Sequence, residues 1–259
     1  MSDPRTFDPQ AEFRSALYSG VGQPVPHESA TRHVSGAAQY VDDRLEFPNQ
    51  LHVYARLADR PHARILAIDS APCYTVPGVA IVITSQDVPG ALDIGAVLPG
   101  DPLLAEGLVE YVGQPVLAVA ADSLAAARAA AALARIDYED LEPLLDIEEA
   151  LRRQQFAAPS HTQQRGDAEA ALANAPHRLA GRLRSGGQEH FYLETQACAV
   201  LPTEDGGMLV HSSTQNPSEI QKLVARVLGV ALHKVEVDTR RMGGGFGGKE
   251  TQAAGPACL

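Results

Sequence analysis

Along residues 51–57, LHVYARL, the apolar positions Leu51, Val53, Ala55 and Leu57 alternate with polar ones, the period of a strand with one buried face. Two short β-branched runs follow, RILAID (64–69) and VAIVIT (79–84). They are bounded by Pro72, Pro77, Gly78 and then DVPG, the punctuation expected between strands. PVLAVAA (115–121) repeats the type and leads into the alanine-rich LAAARAAAALA, with Asp122 or Ser123 as candidate N-cap, before RIDYED returns as a strand. This strand, helix, strand order predicts an α/β (α+β) unit with a compact sheet over residues 36–145. Residues 1–35 mix Pro, Gly, charge and single apolars, GQPVPHES among them. They sustain neither period and predict an N-terminal arm lying on another surface.

The pattern then lapses. RRQQFAAPSHTQQRG (152–166) is polar and aperiodic, so residues 146–166 are assigned as a linker and 167–259 as a second, more strand-rich unit. Within it, residues 178–202 read as two extended segments around Gly186 and Gly187, and GGMLVHSS (206–213) as a third. The clearest helix is NPSEIQKLVARVLG. Asn216 is the N-cap, Pro217 the first helical position, Glu219 the capping-box residue, and Gly229 stands just past the end. Its apolar residues Ile220, Leu223, Val224, Val227 and Leu228 share one face. HKVEVD (233–238) alternates as a strand and runs straight into RRMGGGFGGKE (240–250), which places that loop at a strand end, a frequent position for sites in α/β sheets.

Composition narrows what such a chain does. The 259 residues are 45% hydrophobic with aromatics at 5% and no Trp, so the cores must be built from Ala, Val, Leu and Ile. A formal net charge of -11 argues against a nucleic-acid or anionic-membrane partner, since both are polyanions. Cys73, Cys198 and Cys258 are far apart and show neither disulfide-framework nor zinc spacing, which suits a reduced cytoplasm. The N-terminus lacks an apolar signal core and no apolar run reaches the length of a membrane span, so a soluble, cytoplasmic chain is expected.

The glycine loop satisfies two motifs at once. Gly243, Gly245 and Gly248 fit the dinucleotide pattern, and Gly243, Gly248 and Lys249 fit the first seven positions of a P-loop. A P-loop needs Ser or Thr where Glu250 stands, and a carboxylate there repels the phosphates. The dinucleotide reading needs an acidic residue about 20 positions on and a βαβ unit, and Gly255 with Pro256 interrupts any helix after the loop. GGGFGG nevertheless strips side chains from all but Phe246, exposing N–H donors and admitting close approach of a bulky group. A second dense stretch, GGQEHFYLETQ (186–196), crowds Gln188, Glu189, His190, Tyr192 and Glu194 beside a double glycine.

GGQEHFYLETQ followed about fifty residues later by RRMGGGFGGKET resembles the molybdenum-cofactor subunit of the xanthine dehydrogenase and aldehyde oxidase family. VGQPVPHESATRHVSGAAQYVDD is similar to the opening of that family's a/b hammerhead domain, and YEDLEPLLDIEEAL to its end. The resemblance implies a hammerhead domain followed by the incomplete start of a molybdenum-cofactor-binding (molybdopterin) domain. It implies that Gln188 hydrogen-bonds an oxo ligand of the molybdenum without ligating the metal, and that Phe246 and Gly247 supply backbone approach to the metal's ligands. Glu250 would bind a purine substrate and stabilise the proton shifts on its ring, favouring xanthine-type over aldehyde-type substrates. In the complete enzyme the reaction would be hydroxylation of hypoxanthine or xanthine. Electrons would leave through iron–sulfur clusters and FAD on a partner subunit, giving a hetero-oligomer.

The resemblance also implies a general-base glutamate and a substrate-facing arginine that no motif here matches. The closing GPACL reads as a truncated or frame-disrupted end. The fragment alone is therefore expected to be inactive. Two other readings stand beside this one: a non-catalytic hammerhead module that docks the iron–sulfur and flavin subunit, and a nucleotide-binding protein.

Overall fold

A computed structural model describes residues 24–43, 47–96 and 98–250. Most of the N-terminal arm and the interrupted helix expected after the loop fall outside these residues. The strands are β1 (His52–Leu57), β2 (Ala63–Asp69), β3 (Val79–Thr84), β4 (Leu108–Val109), β5 (Pro115–Ala121), β6 (Arg135–Asp140), β7 (Cys198–Pro202), β8 (Met208–Ser212) and β9 (Val235–Asp238). The α-helices are α1 (Ala30–Ser35), α2 (Leu124–Leu133), α3 (Ile147–Arg152), α4 (Ala168–Asn174) and α5 (Pro217–Leu228).

Strands β1 to β6 and helix α2 make a two-sheet unit. One sheet has the order β1-β5-β3 and the other β4-β2-β6, each with antiparallel neighbours. The central strand β5 explains the layering, because its side chains alternate between two apolar environments and it is buried almost along its length. Leu117 and Val119 pack with Ala130, Ala131 and Ala134 of α2 and its end, while Val116 packs with Ala58, Ala105 and Val109 against the second sheet. Alanine on the buried face of α2 lets the helix lie close on the sheet, and Ser123 caps it by accepting from the Ala126 N–H at 3.2 Å.

The second unit is smaller. β7 runs antiparallel and β9 parallel to β8, and α5 covers that sheet, packing Ile220, Val224 and Ala225 on Val210 and Val235. The α5 reading holds at both ends. Asn216 accepts from the Glu219 N–H at 3.1 Å, and Gly229 closes the helix at φ 66°. Leu228 packs with that same cluster, whereas Leu223 and Val227 face Ile83, Ile94, Leu103 and Leu104 of the first unit in a shared core.

Three expectations are corrected. The aperiodic N-terminal arm contains a short helix, α1, stopped by Gly36 in the left-handed region. The 146–166 linker begins with α3, which Asp146 caps by accepting from the Glu149 N–H at 2.9 Å. Residues 178–195 form no strand: no described edge pairs with them, Phe191 turns into the left-handed region at φ 51°, and a strand exists only where a neighbour satisfies its backbone groups.

Candidate functional site

Because β8 and β9 are parallel, their C-terminal ends lie side by side, and the segments that leave them, residues 213–216 and 239–250, meet there. The Thr239 hydroxyl donates to the Ser212 carbonyl at 2.9 Å and starts the loop in register. Gln215 then shapes it. Its N–H donates to the Lys249 carbonyl at 2.8 Å, and its side-chain oxygen accepts from the N–H of Gly247 at 2.9 Å and of Lys249 at 3.3 Å. A Cβ at Gly245 would lie 2.5 Å from that oxygen, so a larger residue here would push aside the Gln215 side chain that shapes the loop.

The stretch 186–196 covers the loop from the other side. Tyr192 and His190 pack on Gly248, where a Cβ would come within 2.9 Å and 3.0 Å of their rings. Gln196 donates to the Gly248 carbonyl at 2.7 Å. Glu194 gathers four groups from three segments: its carboxylate accepts from the N–H of Gly243 at 2.6 Å, the hydroxyl of Ser213 at 2.8 Å and the N–H of Val41 at 3.4 Å, and pairs with Lys249 Nζ at 3.5 Å. Burial pushes the Glu194 carboxyl up, but the Gly243 N–H, the Ser213 hydroxyl, the Lys249 charge and the Val41 N–H together hold it below the usual carboxylate range.

Lys249, which fits the P-loop pattern by position and to which the resemblance assigns no role, is turned inward. Its side chain is 0% exposed, and Nζ donates to the Glu194 carbonyl at 2.5 Å and to Ser213 Oγ at 2.8 Å while lying 4.6 Å from the centre of the Tyr192 ring. A P-loop lysine must reach phosphates, whereas this one is enclosed by protein acceptors, so the nucleotide reading loses its key donor.

The other anticipated residues lie on the open flank. Phe246 is exposed with φ 52°, and Gly247 has φ 92° with nothing within 4 Å of where a Cβ would stand. The Gly247 N–H is taken by Gln215, so the loop N–H groups that donate to no described residue are those of Gly244, Gly245 and Phe246. Glu250 is exposed at the loop's end, its carbonyl 3.4 Å from the Thr214 hydroxyl. Gln188 is exposed, and its amide hydrogen-bonds to no described residue. Phe246, Gly247 and Glu250 share one loop, while no described contact ties Gln188 to them. The structure adds Glu194, Ser213 and Gln215, whose only sequence signal is polar side chains close to a strand end or within the double-glycine motif.

This flank fits a bulky, electron-rich group such as a molybdenum cofactor. It offers backbone donors that no described residue takes and an open glycine, and the neighbouring Glu194 carboxylate is already engaged by the Gly243 N–H, the Ser213 hydroxyl and Lys249, which leaves Glu250 as the exposed carboxylate of the loop. Among the described residues no cluster of three or more His, Cys, Asp or Glu is placed to hold a metal directly.

Comparison with known proteins gives the same reading of both units. Residues 35–142 match the a/b hammerhead domain of aldehyde oxidase and xanthine dehydrogenase, and residues 149–259 match the molybdopterin cofactor-binding domain. The two together define the class: a hammerhead followed by part of a molybdopterin-binding domain. The chain belongs to the xanthine dehydrogenase and aldehyde oxidase family of molybdenum hydroxylases.

It is 43% identical over 240 residues to the xanthine dehydrogenase of Oryza sativa subsp. japonica, aligning 91% of this chain with 18% of that protein. It is 39% identical over 243 residues to aldehyde oxidase 3 of Rattus norvegicus, aligning 93% with 18%. Among solved structures, quinoline 2-oxidoreductase from Pseudomonas putida 86 superposes with a TM-score of 0.73 at 28% identity, covering 89% of this chain and 31% of that one. The aldehyde oxidoreductase of Desulfovibrio gigas also gives 0.73 at 28%, covering 86% and 27%. The chain therefore spans less than a fifth of the curated relatives it matches. Among the described residues, no helix is long and apolar enough to cross a membrane.

Proposed function

We propose that this chain is the hammerhead and the opening of the cofactor-binding domain of a xanthine dehydrogenase, which in its complete form hydroxylates hypoxanthine or xanthine. The observation that carries the substrate class is Glu250: an exposed carboxylate held beside the open glycine flank because the residue before it is buried. A carboxylate accepts hydrogen bonds from purine ring N–H groups and favours the proton shifts that accompany oxidation of the ring, which an aldehyde substrate does not need. When bound, the molybdenum cofactor supplies the oxidative hydroxylation chemistry. Phe246 and Gly247 let that group approach the backbone, and the Gln188 amide donates a hydrogen bond to it without adding charge. Iron–sulfur clusters and FAD on a partner subunit carry the electrons away, so the complete enzyme is a hetero-oligomer.

The alternative of a non-catalytic assembly module draws on one observation: Gln188 is exposed and no described contact ties it to the loop. Molybdenum analysis after co-expression with cofactor synthesis separates the two, the module binding none. In the complete enzyme, Glu250→Ala is expected to lower purine turnover while molybdenum content and oxidation of an aromatic aldehyde persist. Equal loss on both substrate classes would remove the purine assignment.

A further inference from the structure

We propose that Lys249 is a positioning residue, an internal anchor that sets where Glu250 and the open flank of the glycine loop stand. This rests on the purine reading only for its effect on substrate. The anchor is geometric. Nζ is held by the Glu194 carbonyl at 2.5 Å, the Ser213 hydroxyl at 2.8 Å and the Glu194 carboxylate at 3.5 Å, over the face of Tyr192. The main chain of the same residue is fixed on both sides, its carbonyl by the Gln215 N–H and the Thr214 hydroxyl, its N–H by the Gln215 side chain.

A residue tied at both its side chain and its backbone gives the next one little freedom, and the next one is Glu250. Neighbouring glycines cannot supply that rigidity, since they are the least restrained residues in the chain. Burying a lysine with only partial ionic compensation contributes little to stability compared with an apolar residue of similar size. The arrangement is therefore better explained by placement than by folding energy. The Glu194 carboxylate completes it, because it also receives the Val41 and Gly243 N–H groups and so joins the start of the hammerhead to the loop.

Two variants test this, Lys249→Met, which keeps the length and removes the donor, and the milder Ser213→Ala, which removes one acceptor and leaves the rest. The first readout is amide hydrogen exchange of the complete protein without cofactor. Exchange should accelerate over peptides spanning 240–250 while those covering β5 stay as in the parent. The second is steady-state kinetics of the loaded holoenzyme, where KM for xanthine should rise about tenfold in Lys249→Met with kcat far less affected, the size of a lost hydrogen bond to a charged group. Ser213→Ala should shift both readouts the same way by less. Unchanged exchange at 240–250 in both variants, or a uniform acceleration with KM unaltered, overturns the proposal. If the parent oxidises no purine, the exchange result still decides the anchor, and only the purine reading fails.

Discussion

The Gly90 N–H donates to the Val227 carbonyl at 2.8 Å, so a loop of the hammerhead closes the C-terminal end of α5 in the cofactor-binding domain. The neighbouring Ala91 N–H takes the Arg226 carbonyl at 2.9 Å, and Arg226 reaches Asp93 at 3.7 Å. Carbonyls that a helix end leaves without partners are thus satisfied across the domain boundary. With Leu223 and Val227 in a core shared with Ile83 and Leu104, the helix that covers the site's sheet is fixed by the hammerhead.

Gly90→Ala should uncouple the two. A Cβ at Gly90 would lie 2.1 Å from the Arg226 carbonyl and 2.6 Å from the Val227 carbonyl, all backbone that cannot rotate away. Overpacking of this kind costs about 1–3 kcal/mol. Chemical denaturation of the variant should show that loss, and unfolding at the parent's midpoint would contradict the contact's importance.

Trypsin should cut first in the exposed stretch between α3 and β7, at Arg165, Arg178, Arg182 or Arg184, where the backbone is not held in a sheet. Mapping the first fragments by mass spectrometry checks the proposed 146–166 division together with the open segment after it. First cleavage between residues 79 and 140 would contradict both, since strands there must open before a protease reaches them.

Glu194 gives the site a defined acid response. Its folded pKa lies below the ordinary glutamate value of 4.5, so its contribution to stability is fully present above about that pH and is lost as pH falls through the lower folded value. Glu194→Gln should be less stable than the parent at neutral pH, because Lys249 loses its buried partner, and the gap should narrow on acidification below about 4.5. Thermal unfolding at a series of pH values measures it. A gap that stays constant or widens in acid would show that the carboxylate is not the responsible group.

Gln188→Ala, in the complete enzyme, should perturb the spectrum of the metal centre as well as the rate, the latter by about 1–3 kcal/mol of barrier if the amide donates to a buried oxo group. Glu250→Ala should leave that spectrum as in the parent. An unperturbed spectrum in Gln188→Ala would remove this residue from the metal's surroundings.

Local pattern alone determined much of the scaffold. Strict alternation and β-branched runs marked β1 to β3, β5 and β6, and Asn216, Pro217 and Gly229 delimited α5, because these signals come from backbone preferences that act over a few residues. The two long motifs likewise pointed to the loop and to the stretch that covers it. What needed the tertiary structure was every assignment that depends on a partner distant in sequence. Residues 178–195 carried extended character yet have no sheet edge to join, and only the fold says which edges are available. Lys249 fitted a phosphate-binding pattern that Glu250 already spoiled, but its own direction stayed open, because a glycine loop ending in lysine is the same string whether its side chain points outward or inward. Its direction was decided by the Glu194 carbonyl 55 positions earlier and the Ser213 hydroxyl 36 positions earlier, which the chain brings beneath the loop only when β9 pairs in parallel with β8.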